Sequence, residues 1–297
     1  MADLRFLTLH GNRVAYRDEG IGDETLLLIH GIAGSSLAWE PLMSYLTTSY
    51  RVLAPDLLGH GASDKPRADY SLGAFAVWLR DFLDELDVAA VTPVGHSLGG
   101  GIALQFVHQH RSYCRRLVLI NSGGLGADVG VLLRILAAPG AELLLPIIGS
   151  PQVARLAKLV RNPFTLFRRD PTTNGDPIYA ASAWSSPQSR QAFLRTLRAV
   201  VDSRGQAVSA LNKLHYVSEL QTLFIAGAKD RIIPPAHARD AHEAVTGSHL
   251  HIIDDAGHLP HVECPDTVAK LIHEFVGSEN RPTGTATLPR INPDRGE

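Results

Sequence analysis

Gly95-His96-Ser97-Leu98-Gly99-Gly100 lies between an apolar run, AAVTPVG at 89–95, and a helix-like stretch, GIALQFVHQH at 101–110. A chain that turns sharply from strand into helix needs residues without bulky Cβ atoms on both sides, and the turn lifts its central side chain out of the chain path. Ser97 is therefore expected to stand exposed where a helix begins. Free amides and the positive end of the helix dipole collect at that point and would stabilise a developing oxyanion, with the N–H of Leu98 as the natural first donor. A glycine-rich turn that only packs a helix against a strand would satisfy the same pattern, but the strand-turn-helix context favours a nucleophile.

Outward from this turn, the runs TLLLIH at 25–30, RVLAPD at 51–56 and RLVLIN at 116–121 are short and apolar, as buried parallel strands should be. Helical spacing of apolar residues at 37–46 and 72–86 separates them, the second helix with Ser71 as N-cap. The segment 5–18 alternates around His10-Gly11-Asn12 and reads as a hairpin at the sheet edge. Alternating strands and helices imply a doubly wound α/β sheet, mostly parallel.

From about 126 to 214 no strand-like run appears, only Pro-broken apolar and basic helical stretches, and strands resume with TLFIA at 222–226 and LHII at 250–253. The expected organisation is a core formed by 1–125 and 215–277, an all-helical cap inserted at 126–214, and a tail at 278–297. The tail is rich in Pro, Gly, Thr and charge, nearly devoid of apolar residues, and reads as disordered.

A serine hydroxyl is a weak nucleophile and needs a histidine base held in one tautomer by a carboxylate. His258, in Asp255-Ala256-Gly257-His258-Leu259-Pro260, follows the last expected strand, at the carboxyl edge where functional loops gather. His261 follows Pro260 near a helix start and reads as a surface residue. Asp230, in Gly227-Ala228-Lys229-Asp230-Arg231, completes the order Ser, Asp, His; otherwise it caps a helix beginning near Pro234. Asn121-Ser122-Gly123-Gly124 offers no competing carboxylate, and Asp254 and Asp255 are too close in sequence to face His258. The glycine-punctuated turn His30-Gly31-Ile32-Ala33-Gly34-Ser35 supplies a second oxyanion donor, the N–H of Ile32.

The chain of 297 residues has a net charge of −2, which gives no electrostatic footprint for nucleic acid. Two cysteines, Cys114 and Cys264, build no disulfide framework or metal spacing and read as buried or inert thiols. The N-terminus lacks the basic and apolar segments of a signal peptide, so a cytoplasmic protein is expected. Residues 131–148 are the most apolar stretch, but Arg134, Pro139, Gly140, Glu142 and Pro146 interrupt it. It reads as a broken helix, buried or lipid-facing, with no transmembrane segment. Residues 123–214 hold 11 Lys and Arg against 5 Asp and Glu, making the cap basic on an acidic body. Arg155, Lys158, Arg161, Arg168 and Arg169 either draw in anionic substrates or a lipid surface, leaving peripheral lipid contact through the cap open, or form a solvated helix face, the reading that charge alone favours.

Taken together, HGIAGS, APDLLGHGASDKP, VGHSLGGGIAL, GAKDRIIP and DAGHLPHVECP resemble the successive landmarks of the α/β-hydrolase superfamily, from about residue 5 to 277, in its serine-nucleophile, esterase- and lipase-like branch with a helical cap. The resemblance implies Ser97 as nucleophile, His258 as base, Asp230 as its orienter, an oxyanion hole from Ile32 and Leu98, and no metal or organic cofactor. Asp56, Gly59 and Gly61 would shape a loop behind the site, with His60 structural. Members with an aspartate nucleophile, the haloalkane dehalogenases and epoxide hydrolases, are disfavoured by Ser97. Carbon–carbon bond hydrolases usually carry Asn before the serine and an aromatic after the histidine, where this chain has His96 and Leu259. The expected reaction is hydrolysis of a small to medium, largely apolar ester, lactone or thioester through an acyl-enzyme. The alternatives are a C–C bond hydrolase of the same fold and a low-turnover ligand receptor or scaffold.

Overall fold

Leu26 and Leu28 pack into one apolar cluster and Leu27 and Ile29 into another, so the strand that carries them is covered on both faces. Strands buried in this way need helices on either side. The computed structural model describes residues 3–142 and 186–277. The expected tail at 278–297 and the cluster Arg155, Lys158, Arg161, Arg168 and Arg169 lie outside them.

The main sheet contains β1 (Arg5–Leu9), β2 (Asn12–Glu19), β3 (Thr25–Ile29), β4 (Arg51–Pro55), β5 (Thr92–His96), β6 (Leu117–Ile120), β9 (Thr222–Gly227) and β10 (His249–Ile253), in the order β1-β2-β4-β3-β5-β6-β9-β10. Pairing is antiparallel at β1–β2 and β2–β4 and parallel elsewhere. His10 and Gly11 have φ of 50° and 75°, the left-handed pair that a two-residue hairpin turn demands, which puts β1 at the edge as expected. Helices α2 (Leu72–Glu85) and α3 (Leu98–Gln109) cover one face through Phe75, Leu79, Phe82, Ile102 and Phe106, and Ser71 caps α2 by accepting from the Ala74 N–H at 3.3 Å. On the other face, α1 (Glu40–Leu46) contributes Leu42 and Leu46, and α8 (Pro265–Gly277) contributes Val268, Ile272 and Phe275.

Between β6 and β9 the chain leaves this sheet. The described part forms α4 (Val131–Ala137) and α5 (Pro187–Val200). Ser186 caps α5 with Pro187 at its first position, and Phe193, Leu194 and Leu197 form an apolar stripe that meets Leu136 and Ala137 of α4. Arg198 donates to the carbonyls of Ala137 and Ala138 at 3.1 and 3.0 Å, and Arg134 to Ser203 O at 2.7 Å. These two cationic side chains therefore satisfy carbonyls, at the C-terminal end of α4 and in the 202–205 turn. The described part of the apolar 131–148 stretch is broken: α4 ends before Pro139, helical residues resume at Ala141 and Glu142, and Leu136 is buried while Val131 and Ile135 are exposed.

An all-helical segment was the expectation here, and the structure departs from it. β7 (Val201–Asp202) pairs with β8 (Gly205–Gln206) in an antiparallel ladder. Asp202 Oδ1 accepts from the N–H groups of Arg204 and Gly205 at 2.7 and 3.1 Å, closing the turn. Strands of two residues have no period to read.

Helices α6 (Ala236–Ala244) and α7 (Pro260–Glu263) complete the fold. No described helix is long and apolar enough to cross a membrane. Both cysteines are unpaired, and burial pushes the Cys114 thiol up to about 12, which makes it unreactive.

Candidate active site

The β5–α3 turn forms because nothing larger than hydrogen fits around it. A Cβ on Gly95 would overlap the backbone of Gly99 and Gly100, and one on Gly99 the carbonyl of Ile29. Ser97, between them, is held at φ 53° and ψ −118°, a region that non-glycine residues avoid, at a cost of about 1–3 kcal/mol. The turn is fixed by the Ser97 N–H donating to Ile120 O at 3.1 Å, and by Ser97 O accepting from the N–H groups of Gly100 and Gly123 at 3.0 and 2.9 Å. The sequence placed Ser97 in the open; the residue is only 6% exposed, because the chain after β6 and helices α4 and α5 wall the cleft it faces.

Three crossovers bring the remaining partners to this point. Ser97 Oγ lies 3.2 Å from His258 Nε2, and His258 Nδ1 lies 2.7 Å from Asp230 Oδ2. The Asp230 side chain is fully buried, and its second oxygen accepts from the N–H groups of Ile232 and Ile233 at 2.7 and 3.0 Å. Asp230 therefore both meets His258 and caps the turn before α6. With Nδ1–H directed at a carboxylate, Nε2 keeps a lone pair for the serine proton. Asp255 instead meets Lys229 in an exposed ion pair at 2.7 Å.

Ile32 and Leu98 both border the cleft beside Ser97, and neither N–H donates to an acceptor among the described residues. His30 shapes the turn that carries Ile32: its Nδ1–H donates to Gly31 O at 2.8 Å and its Nε2 accepts from the Leu57 N–H at 3.0 Å. Asp56 accepts from the N–H groups of Ser36 and Ala62, both at 2.6 Å, holding the adjoining loop as expected. His60 is buried beside His30, and burial lowers it to about 3.

A family model for the alpha/beta hydrolase fold matches residues 24–265. The chain belongs to the α/β-hydrolase family. This α/β-hydrolase is 40% identical over 280 residues to an uncharacterized protein of Mycobacterium tuberculosis, covering 92% of this chain and 81% of that one. It is 30% identical over 279 residues to a 2-hydroxymuconate semialdehyde hydrolase of a Pseudomonas species, covering 90% and 91%. A solved hydrolase from Pseudomonas aeruginosa PA01 superposes with a TM-score of 0.72 at 26% identity, covering 93% and 99%.

The hydrolase corrects one expectation about the histidine loop. His261 is not on the surface: it is fully buried, with its ring 4.3 Å from Trp39 and 4.5 Å from His96, and neither nitrogen has a hydrogen-bond partner among the described residues. The loop folds back over α1, so the start of α7 faces inward. Burial, followed by the neighbouring His258, lowers His261 to about 3, and burial also carries His96 well below the ordinary histidine value.

Several residues that motif reading passed over hold the α/β-hydrolase loop in place. His96 Nε2–H donates to His258 O at 2.7 Å. The Glu263 carboxylate accepts from the N–H groups of Gly257 and Leu259, at 2.5 and 3.0 Å, on either side of His258. Asn121 donates to Gly257 O and accepts from the Gly227 N–H, both at 2.9 Å, tying the end of β6 to the loops that carry His258 and Asp230. Glu263 lies inside a quoted motif and could have been found there; Asn121 left no signal except its place at a strand end. Among the described residues no three His, Cys, Asp or Glu side chains converge as metal ligands would.

The cleft beside Ser97 has a cavity volume of about 50 Å³. Its described lining is apolar apart from Ser97 and Gln206, and none of the described lining residues is charged. The Gln206 amide is already engaged, accepting from the Gly124 N–H at 2.6 Å and donating to Asp128 O at 2.9 Å.

Proposed function

We propose that this α/β-hydrolase cleaves an uncharged, largely apolar carboxylic ester, with lactones and thioesters as close variants, through an acyl-enzyme on Ser97. The observation that supports this reading is the hydrogen-bonded series Ser97–His258–Asp230 beside a cleft whose described lining carries no charge. In the reaction, Ser97 Oγ attacks the acyl carbon while His258 Nε2 accepts its proton, and Asp230 keeps the imidazole in the productive tautomer. Negative charge on the acyl oxygen is met by the N–H groups of Ile32 and Leu98, each such donor being worth about 10²–10³ in rate. His258 then protonates the leaving alcohol and activates the water that releases the acid. The described helices of the 126–214 insertion, α4 and α5, act as a lid and shape the pocket through Leu133, Leu197 and Val200.

The second reading, C–C bond hydrolysis, draws on the semialdehyde hydrolase relative. A muconate semialdehyde carries a carboxylate, and an anion buried in an apolar cleft needs a cationic partner. The described cleft provides none, which favours the neutral ester.

The test is mass-resolved labelling with a fluorophosphonate, followed by turnover on neutral esters, lactones, thioesters and a vinylogous diketone acid. Labelling of Ser97 with turnover of neutral esters supports the proposal. Turnover confined to the diketone moves the enzyme to the second reading, and a protein that neither labels nor turns over any substrate is a binding scaffold.

A further inference from the structure

Four glycines stand between residues 95 and 101, and three of them are there for one reason. A Cβ on Gly95 or Gly99 would collide with backbone, and one on Gly100 would collide with Ser122. Gly101 is different. A Cβ there would meet Leu72 Cδ1 at 3.5 Å and Gly123 O at 3.6 Å, ordinary van der Waals contacts. Nor does the backbone require glycine, since Gly101 sits within α3 and has no positive φ. Inside a helix glycine is disfavoured relative to alanine, so the position carries a stability cost that neither packing nor conformation explains.

The cleft explains it. Leu72, Leu98, Gly101 and Gly123 border it together with Ser97. Gly101 lies three residues after Leu98 on the same helical face, about 4.5 Å farther along the axis. A side chain at 101 would stand between Leu72 and Gly123, in the wall of the cleft one turn beyond the nucleophile. Gly124, also in the lining, has φ 83° and is glycine for its conformation.

We propose that Gly101 is a specificity-determining position: the missing side chain leaves an apolar slot along α3 that accepts an extended hydrocarbon arm of the substrate. The inference rests on the ester reading for its choice of substrate, but the slot exists independently of turnover. Each methylene buried in such a slot strengthens binding about fourfold. Filling it with a side chain should remove that gain for long arms while short arms stop before the obstruction.

The test compares wild type, Gly101→Ala and Gly101→Val on nitrophenyl esters from butanoate to dodecanoate, and on butanoates of alcohols of increasing length. The quantity read is the ratio of kcat/KM for the longest arm to that for the shortest. The expected result is a fall of at least tenfold in this ratio for Gly101→Val in one of the two series, with Gly101→Ala between, and a Tm for Gly101→Ala raised by about 2–4 °C. The series that responds identifies the arm. Unchanged ratios in both series, or a lowered Tm in Gly101→Ala, overturn the proposal. Calorimetric binding of N-methylalkanamides of the same lengths reads the slot without hydrolysis. If no ester is turned over but amide binding rises with length in wild type and not in Gly101→Val, the ester reading falls and the slot stands. If esters are hydrolysed with one length profile in all three proteins, the slot falls and the ester reading stands.

Discussion

One wall of the cleft is made by the β5–α3 turn and another by α4 and α5, and they are held in different ways. The turn is fixed by backbone: the Ser97 carbonyl accepts three N–H groups, from Gly100, Gly101 and Gly123, its own N–H is bound to β6, and the flanking glycines leave no space for any larger residue. The helical wall is held by interdigitated side chains, with Leu197 fully buried against Leu136 and Phe193. Main-chain hydrogen bonds fix a group to within tenths of an ångström, which the proposed chemistry at Ser97 requires. Side-chain packing tolerates substitution and drift, which suits a surface that only has to exclude water and fit hydrocarbon.

The comparison breaks if the turn proves dispensable. Ser97→Ala should lower kcat by on the order of 10³-fold or more without lowering Tm, since it removes only the hydroxyl. Ester kinetics with a thermal melt check this, and near-normal turnover would refute the assignment of Ser97 as nucleophile. Next in size, Asp230→Asn should reduce kcat by about 10²–10⁴, whereas Asp255→Asn, which loses only an exposed ion pair, stays within about twofold. A reversed ranking would move the carboxylate elsewhere.

On the helical wall, Leu197→Ala opens a void in the apolar cluster and should cost about 2–4 kcal/mol of stability. In kinetics it should raise KM more than it lowers kcat, because Leu197 borders the cleft away from the reacting carbon. A selective loss of kcat would mean that the two walls do not divide their work in this way.

The smallest effect concerns the sealed histidines behind the turn. His60 and His261 are lowered from the ordinary value of 6.5 to about 3. Between those limits the unfolded chain binds more protons than the folded one. Their contribution is therefore fully present above about pH 6.5 and is lost as pH falls, at roughly 1.4 kcal/mol per pH unit for each. His261→Phe keeps the ring against Trp39 and removes one titrating group. Urea unfolding from roughly pH 5 to 8 should show a shallower slope by about one proton, with stability at pH 7 equal or higher. An unchanged slope would show that His261 does not titrate on unfolding.

The same contrast governs what could be read from the sequence. Ser97 and its glycines were legible because the backbone geometry leaves few residue choices, and the strand runs because burial on both faces makes them continuously apolar. Asp230 and His258 followed from their loops at the carboxyl ends of β9 and β10. Asn121 was not legible: its partners, Gly227 and Gly257, lie 106 and 136 residues away and nothing local marks the bond. His261 was misread because a position after Pro260 at a helix start is usually solvated, whereas here Trp39, from a distant segment, covers the ring. The β7–β8 ladder escaped because two residues make no pattern.

Ser97 and Asp230 also differ in what would become of them if selection for turnover were lifted. Asp230 would persist, because its Oδ1 still closes the turn before α6 whatever happens at His258. Ser97 would not, since a glycine in its place relieves a φ of 53°. In a lineage drifting toward a non-catalytic role, the proposed nucleophile is thus the first position expected to be lost and its carboxylate partner among the last. On the proposed reading, a serine at this strained position is what selection for turnover leaves behind, whereas an aspartate at 230 is explained by the turn alone.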